Sequence, residues 1–216
     1  MDKKGLEKAI QELKKNSKER KFKQSYDLIV TLKDLNLKNP DEQVDFFLTL
    51  SHGFSKKVKV AAFAGPELAE RAKGVVDLVI PQTDFDKFTD KKQLKKMAAE
   101  YDFFIAQADI MPKVAQVFGR ALGPRGKMPN PKLGSVIPGK AQVEPLYEKL
   151  QRTVRISAKK QPMVHIKVGD ENMSVEHVIE NAMQVYNQLV HHLPKEKSNV
   201  RHVLIKLTMS KPVKIE

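Results

Sequence analysis

The sequence predicts an α/β domain inserted into an α+β domain whose elements come from both ends of the chain. Three observations carry that reading. Apolar residues alternate at period two near both termini. In the middle, short continuous apolar runs alternate with helical patterns. The texture changes near Gly53 and again near Gln151. Alternation marks half-buried strands, whereas continuous runs between helices mark a parallel, doubly wound sheet covered on both faces. With 216 residues, 41% of them apolar, the chain is long enough to bury two such cores.

Each element follows in order. Lys3 to about Asn16 is predicted helical, with Leu6, Ala9, Ile10 and Leu13 on one face. Tyr26, Leu28, Val30 and Leu32 alternate as a strand, and Val44, Phe46, Leu48 and Leu50 repeat the pattern. Asn39-Pro40-Asp41 lies between them, so the two are expected to pair antiparallel. Val58 to Ala64 is a nearly continuous apolar run, and Gly65-Pro66 then opens a helix to about Lys73. Val75 to Ile80 and Phe103 to Ala106 are two more short strands, with a helix over Lys91 to Ala99 between them. Pro112 suits the start of a helix ending near Leu122. A helix near Val143 to Leu150 closes the insert.

Beyond it, Thr153 to Ser157 and Met163 to Val168 read as strands. Ser174 is a good N-cap for a long helix carrying Val178, Ile179, Ala182, Tyr186, Leu189 and Val190 on one stripe, and Pro194 stops it. Val203, Ile205 and Leu207 form the last expected strand, running to Thr208-Met209. The expected domains are therefore residues 1–56 with 151–216, and residues 57–150. Paired chain crossings of this kind are the layout of a hinge. No internal repeat occurs.

Lys plus Arg number 39 and Asp plus Glu 26, leaving a formal charge of +13. A surplus that large calls for a polyanionic partner. Its distribution says more. Acids and bases mix up to Asp109, but three later stretches hold no acid: Ile110 to Val143, Lys149 to Gly169 and Lys197 to Ile215. Acid is left out where it would repel phosphate, and each Lys or Arg that meets one releases a counterion. Cysteine is absent, which excludes disulfides, thiolate zinc sites and cysteine nucleophiles, and fits a reducing compartment. No apolar stretch approaches the ~18 residues of a membrane span. The N-terminus mixes acids with bases and lacks a long apolar core, so a cytosolic location is expected rather than a secretory signal.

The most unusual string is Leu122 to Gly139, LGPRGKMPNPKLGSVIPG, with four prolines and four glycines around Arg125, Lys127 and Lys132. So much turn chemistry is expected to be neither helix nor strand but a stiff loop that lets backbone approach a phosphate chain. A phosphate-cradling nucleotide loop fails here, because Met128 follows Gly126-Lys127 and Ala121 stands where the first glycine is needed. After the first strand of the insert, AGPELAER has only Gly65, so a dinucleotide fingerprint fails too. The six histidines form no metal set, and the carboxylates Asp84 and Asp86 lie in a solvated polar stretch. No catalytic constellation, cofactor or metal is expected.

Two further strings suit RNA. Lys21-Phe22-Lys23-Gln24-Ser25 sets an aromatic between two cations, which can stack a base or ribose while the lysines meet phosphate. Thr208-Met209-Ser210-Lys211-Pro212 ends a strand in small hydroxyls and a polarizable side chain, groups able to read a ribose 2′-hydroxyl. An ordinary core phenylalanine and a plain strand end are the bland alternatives.

Taken together, KFKQS, LGPRGKMPNPKLGSV, HIKVG and LTMSKP, in that order over essentially the whole chain, resemble the ribosomal protein L-one family, the mobile-stalk protein of the large ribosomal subunit. The lack of extended tails looks archaeal-type. The resemblance implies a split α+β domain with an inserted Rossmann-like, three-layer α/β domain that has lost nucleotide chemistry. It implies binding to the stalk region of large-subunit ribosomal RNA, help in releasing deacylated tRNA from the exit site, and repression of translation of the protein's own mRNA. It implies a monomer off the ribosome, with no membrane partner. By position it assigns the main RNA surface to Lys21, Phe22 and Ser25, to Lys167 and Gly169, and to Thr208, Met209 and Ser210. Arg125, Lys127 and Lys132 add weaker contacts from the insert. The family's usual last motif ends in glycine where this chain has Ser210. A required positive φ would disfavour serine there, whereas a mere need for close approach would not. Two other readings stay open: an α/β enzyme acting on a nucleotide or phosphorylated substrate, and a sequence-indifferent DNA compactor.

Overall fold

Alternation and capping signals turn into elements close to where the sequence sets them. A computed structural model describes residues 2–18, 20–88 and 90–215. In chain order the elements are α1 (Lys3–Asn16), β1 (Ser25–Leu32), β2 (Val44–Thr49), β3 (Val60–Ala64), α2 (Pro66–Ala72), β4 (Leu78–Pro81), α3 (Lys91–Glu100) and β5 (Phe103–Gln107). They continue as α4 (Met111–Leu122), β6 (Val136–Ile137), α5 (Glu144–Gln151), β7 (Thr153–Ala158), β8 (Met163–Asp170), α6 (Val175–His192), β9 (Val200–Leu207) and β10 (Val213–Ile215). The chain divides into one unit of residues 1–55 with 152–216 and another of residues 56–151.

The first unit is built on a four-stranded antiparallel sheet in the order β10-β9-β1-β8. β1 is its centre, and Tyr26, Leu28, Val30 and Leu32 are its buried side. Leu6, Ile10 and Leu13 of α1 and Val178, Ala182, Val185 and Leu189 of α6 complete the same apolar core. Ser174 caps α6 by accepting a hydrogen bond from the His177 N–H at 3.3 Å.

Two expectations fail in this unit. β1 does not pair with β2. It lies between β8 and β9, and β2 pairs with β7 in a separate two-stranded sheet. The segment between β1 and β2 holds a 3-10 turn at Pro40–Glu42 and none of the tight Asn-Gly or Asp-Gly turns that fix a hairpin. The eight-residue β8 and β9 instead match β1 along its length. The second failure is at the C-terminus, where β10 follows β9 and pairs with it antiparallel. Only three residues long, with Pro212 just before it, β10 offers too short an alternation to register as a strand.

The second unit carries a parallel sheet in the order β4-β3-β5-β6. β3 is buried at every position, as expected of a strand covered on both faces. Phe63, Phe85, Phe104 and Phe118 form the aromatic centre of one side, with Phe63 and Phe118 ring centroids 4.5 Å apart. The expectation of no strand between Leu122 and Gly139 fails at Val136–Ile137, which pair with Ala106 and Gln107 as an added parallel edge. Two β-branched residues between turns are enough once a neighbouring strand supplies the register.

Candidate nucleic-acid interface

Antiparallel pairing brings three distant strings to one end of the first unit's sheet. Tyr26, near the start of β1, is opposite Gly169 on β8 and Leu207 on β9. The sequence-predicted residues Lys21, Phe22, Ser25, Lys167, Gly169, Thr208, Met209 and Ser210 therefore gather around that end. Among the described residues, only three large hydrophobic side chains are exposed. Two belong to this end, Phe22 at 49% and Met209 at 60%; the third is Met163. Their grouping at one sheet end, rather than their exposure alone, makes an apolar patch of the kind that marks a partner site.

The strand ends are tied together beneath them. Thr208 Oγ1 accepts from the Ser25 N–H at 3.0 Å and shares a hydroxyl contact with Ser25 Oγ at 3.1 Å. Gln24, only 2% exposed, joins three segments. Its N–H donates to Glu171 Oε2 at 2.8 Å, its Nε2 donates to Glu171 Oε1 at 3.1 Å, and its Oε1 accepts from the Met209 N–H at 3.1 Å. The exposed methionine thus stands on a backbone fixed from below.

Ser210 is not among the residues with positive φ, so the backbone here does not demand glycine. The serine hydroxyl accepts from the Leu207 N–H at 2.8 Å and donates to the Lys211 carbonyl at 3.1 Å or the Leu207 carbonyl at 3.4 Å. It closes the turn after β9. Gly169 is buried, and a Cβ there would lie 2.7 Å from Val178 Cγ2. Its missing side chain makes room for α6.

Lys167 is half-buried. Its Nζ lies 2.6 Å from Asp170 Oδ1 and 4.4 Å from the Phe54 ring centroid, so its charge is partly taken up within the fold. The same holds for other cations of that acid-free stretch. Arg155 and Lys159 both bond Asp45 on β2, at 2.8 and 2.6 Å. A run without acid in sequence is not acid-free in space, because the neighbouring strand supplies one. Burial works against the Asp45 anion, but hydrogen bonds from Arg155 and Lys159 outweigh it and hold the carboxyl below its ordinary range. Two further acids stand near the exposed end, and each is engaged: Glu171 by Gln24, and Asp27 by Ser25 Oγ and by His165 at 3.3 Å each. Burial, then the Glu171 charge, pushes the Tyr26 phenol up to about 12.

Arg125, Lys127 and Lys132 belong to the second unit. Arg125 is exposed and donates to the Lys95 carbonyl at 2.6 Å. Lys127 bonds the Tyr101 carbonyl at 2.7 Å and lies 3.7 Å from Asp102, so it fastens the loop to the end of α3. Lys132 is exposed in a turn capped by Asn130. In this unit the first strand-to-helix turn, where doubly wound sheets meet ligand phosphates, has its Gly65 N–H donating to Gln107 Oε1 at 2.9 Å. The group a nucleotide would need is already used. Among the described residues no cluster of three or more metal-ligating side chains occurs, and no helix is long and apolar enough to cross a membrane.

Sequence reasoning missed Gln24 and Glu171 as part of this end. Gln24 sits inside KFKQS and was open to inspection. Glu171 carries no local signal, because only the β1–β8 pairing places it under Met209.

A match to the Ribosomal protein L1p/L10e family covers residues 13–211. The chain is 40% identical over 217 residues to the large ribosomal subunit protein uL1 of Methanothermococcus thermolithotrophicus, covering 100% of both chains. It is 41% identical to that of Methanobrevibacter smithii, over 96% of each chain. It is 39% identical to that of Pyrococcus horikoshii, over 100% of this chain and 97% of the relative. With that coverage at both ends, the chain belongs to the ribosomal protein L1p/L10e family as an archaeal-type member.

Proposed function

We propose that this protein is the large-subunit constituent that binds the stalk region of the ribosomal RNA through the sheet end carrying Phe22 and Met209. The observation that carries the reading is their joint exposure above a hydrogen-bonded floor of Gln24, Ser25, Thr208 and Glu171. Stacking surfaces on a rigid base suit a folded RNA, whose backbone and 2′-hydroxyls keep a fixed geometry. Lys21 and Lys167 supply charge beside it, Thr208 and Ser25 supply hydroxyls, and Gly169 acts by letting α6 seat against β8. Arg125 and Lys132, exposed in the second unit, add phosphate contacts, and Lys127 keeps their loop in shape.

On the ribosome the same protein assists release of deacylated tRNA from the exit site. Off it, as a monomer, the same face binds a stalk-like fold in the protein's own mRNA and represses its translation. Support for these two roles is the family membership together with a single face that one folded RNA can occupy at a time. RNA recovered from cells with the tagged protein tests the set: large-subunit stalk sequence and one mRNA encoding the protein are expected. Recovery of mixed RNA and DNA without enrichment would overturn it.

A further inference from the structure

A cleft of about 590 Å³ opens beside Met209, between the end of α1 and the turn that leads from β9 to β10. Its lining includes the apolar Leu13, Met209 and Pro212 and the cations Lys18, Arg20 and Lys211, and Glu12 is the one carboxylate among the described lining residues. Lys18, Arg20 and Lys211 make no ion pair among the described residues, whereas Arg155, Lys159 and Lys167 of the same unit are each held by an acid. Three exposed cations without an ion partner, around a partly apolar hollow, are placed to meet an anionic ligand.

We propose that this cleft takes one unstacked nucleotide of the bound RNA. Three features select that occupant. The volume lies within the roughly 300–1,000 Å³ of small-ligand sites, enough for one nucleotide. Met209 and Pro212 give a polarizable face on which a base can lie, and Glu12 accepts an exocyclic amine from the base edge. Lys18, Arg20 and Lys211 meet the flanking phosphates. Gln24 lines the cleft as well, but its side chain is spent on Glu171 and Met209, so it shapes the floor without reading the base. The inference rests on the RNA-binding role proposed above and extends its face past Met209 onto α1. It gives a use to the segment Lys18 to Lys23, whose only acid in sequence is Glu19, a residue outside the described ones.

The test uses the full chain and a transcript of the stalk region of large-subunit ribosomal RNA, with affinity measured against salt. Lys18→Gln/Arg20→Gln/Lys211→Gln is expected to flatten the log–log salt slope by about 2, since each phosphate contact contributes roughly 0.7–0.9. Asn16→Trp, which fills the cleft without changing charge, is expected to weaken binding about tenfold with the slope kept. Lys91→Gln/Lys92→Gln/Lys96→Gln should leave both unchanged. Ultraviolet crosslinking of the unsubstituted complex should place a nucleotide on a peptide containing residues 12–20 or 209–213. Wild-type affinity and slope in both cleft variants, or a charge effect with no effect of Asn16→Trp and no crosslink at these peptides, overturns the cleft. Failure of the unsubstituted protein to bind the transcript overturns the RNA-binding role itself, and the cleft with it.

Discussion

Gln24→Ala removes the nearly buried side chain that fastens Met209 from beneath, at the floor of the cleft. The loss can be worked from its bonds. Nε2 to the Glu171 carboxylate, at 3.1 Å, is a hydrogen bond to a charged group, in the class of about 1.5–3 kcal/mol. The Met209 N–H to Oε1, also 3.1 Å, is neutral and contributes about 1 kcal/mol. The Gln24 N–H bond to Glu171 survives, and Thr208 stays held by Ser25. Water replaces part of what is lost at an exposed turn, so about 2 kcal/mol is expected, close to thirtyfold in affinity if binding needs the fastened form. The assay is titration of the stalk transcript with wild type, Gln24→Ala and Met209→Ala, alongside hydrogen exchange of the Met209 amide. Faster exchange at Met209, weaker binding and an unchanged salt slope are expected. A Gln24→Ala protein that binds like wild type, while Met209→Ala binds poorly, would refute the claim that the floor positions the contact.

Three other substitutions, at Gly169, Asp45 and Tyr26, have expected outcomes. Gly169→Ala should lower stability by about 1–3 kcal/mol through the clash with Val178, read as a drop in melting temperature. Asp45→Asn should cost about 1–2 kcal/mol near neutral pH by breaking its bonds to Arg155 and Lys159. The Asp45 carboxyl titrates below its ordinary range, so its contribution is present above the unfolded pKa and is lost as pH falls through the folded one. Wild type and Asp45→Asn should therefore converge in stability in acid. The Tyr26 hydroxyl is buried without a hydrogen-bond partner among the described residues. Tyr26→Phe should hold or raise stability by up to about 1 kcal/mol, and it should delay the alkaline loss of stability that begins as the unfolded tyrosine ionises near 10, below the folded value of about 12.

Much of the fold was legible because burial imposes periodicity. The stripe on α6, the alternation in β1 and the unbroken apolar β3 each announce which faces are covered. Strand pairing was less legible. The adjacency of Tyr26…Leu32 and Val44…Leu50 in sequence suggested a hairpin, but pairing is decided by which strands match in length and which turns can close. Phe22 and Met209 could be singled out from their company, a ring among lysines and a thioether at a strand end, and both are exposed. Glu171 and the pairing of Lys167, Arg155 and Lys159 with acids were not. Sequence charge counts the residues along one strand, whereas electrostatics depends on the next strand over. Ser210 became clear only with its φ, which shows a serine closing a turn where the family's glycine pattern left open a backbone constraint.

On the proposed reading one exposed sheet end, and not charge in general, holds the RNA. Affinity for the stalk transcript, compared among Phe22→Ala, Met209→Ala and Lys91→Ala at one salt concentration, separates the two. Loss of a stacked or packed apolar contact should cost Phe22→Ala and Met209→Ala about tenfold or more each, with Lys91→Ala within about twofold of wild type. Equal losses at all three positions would contradict the claim.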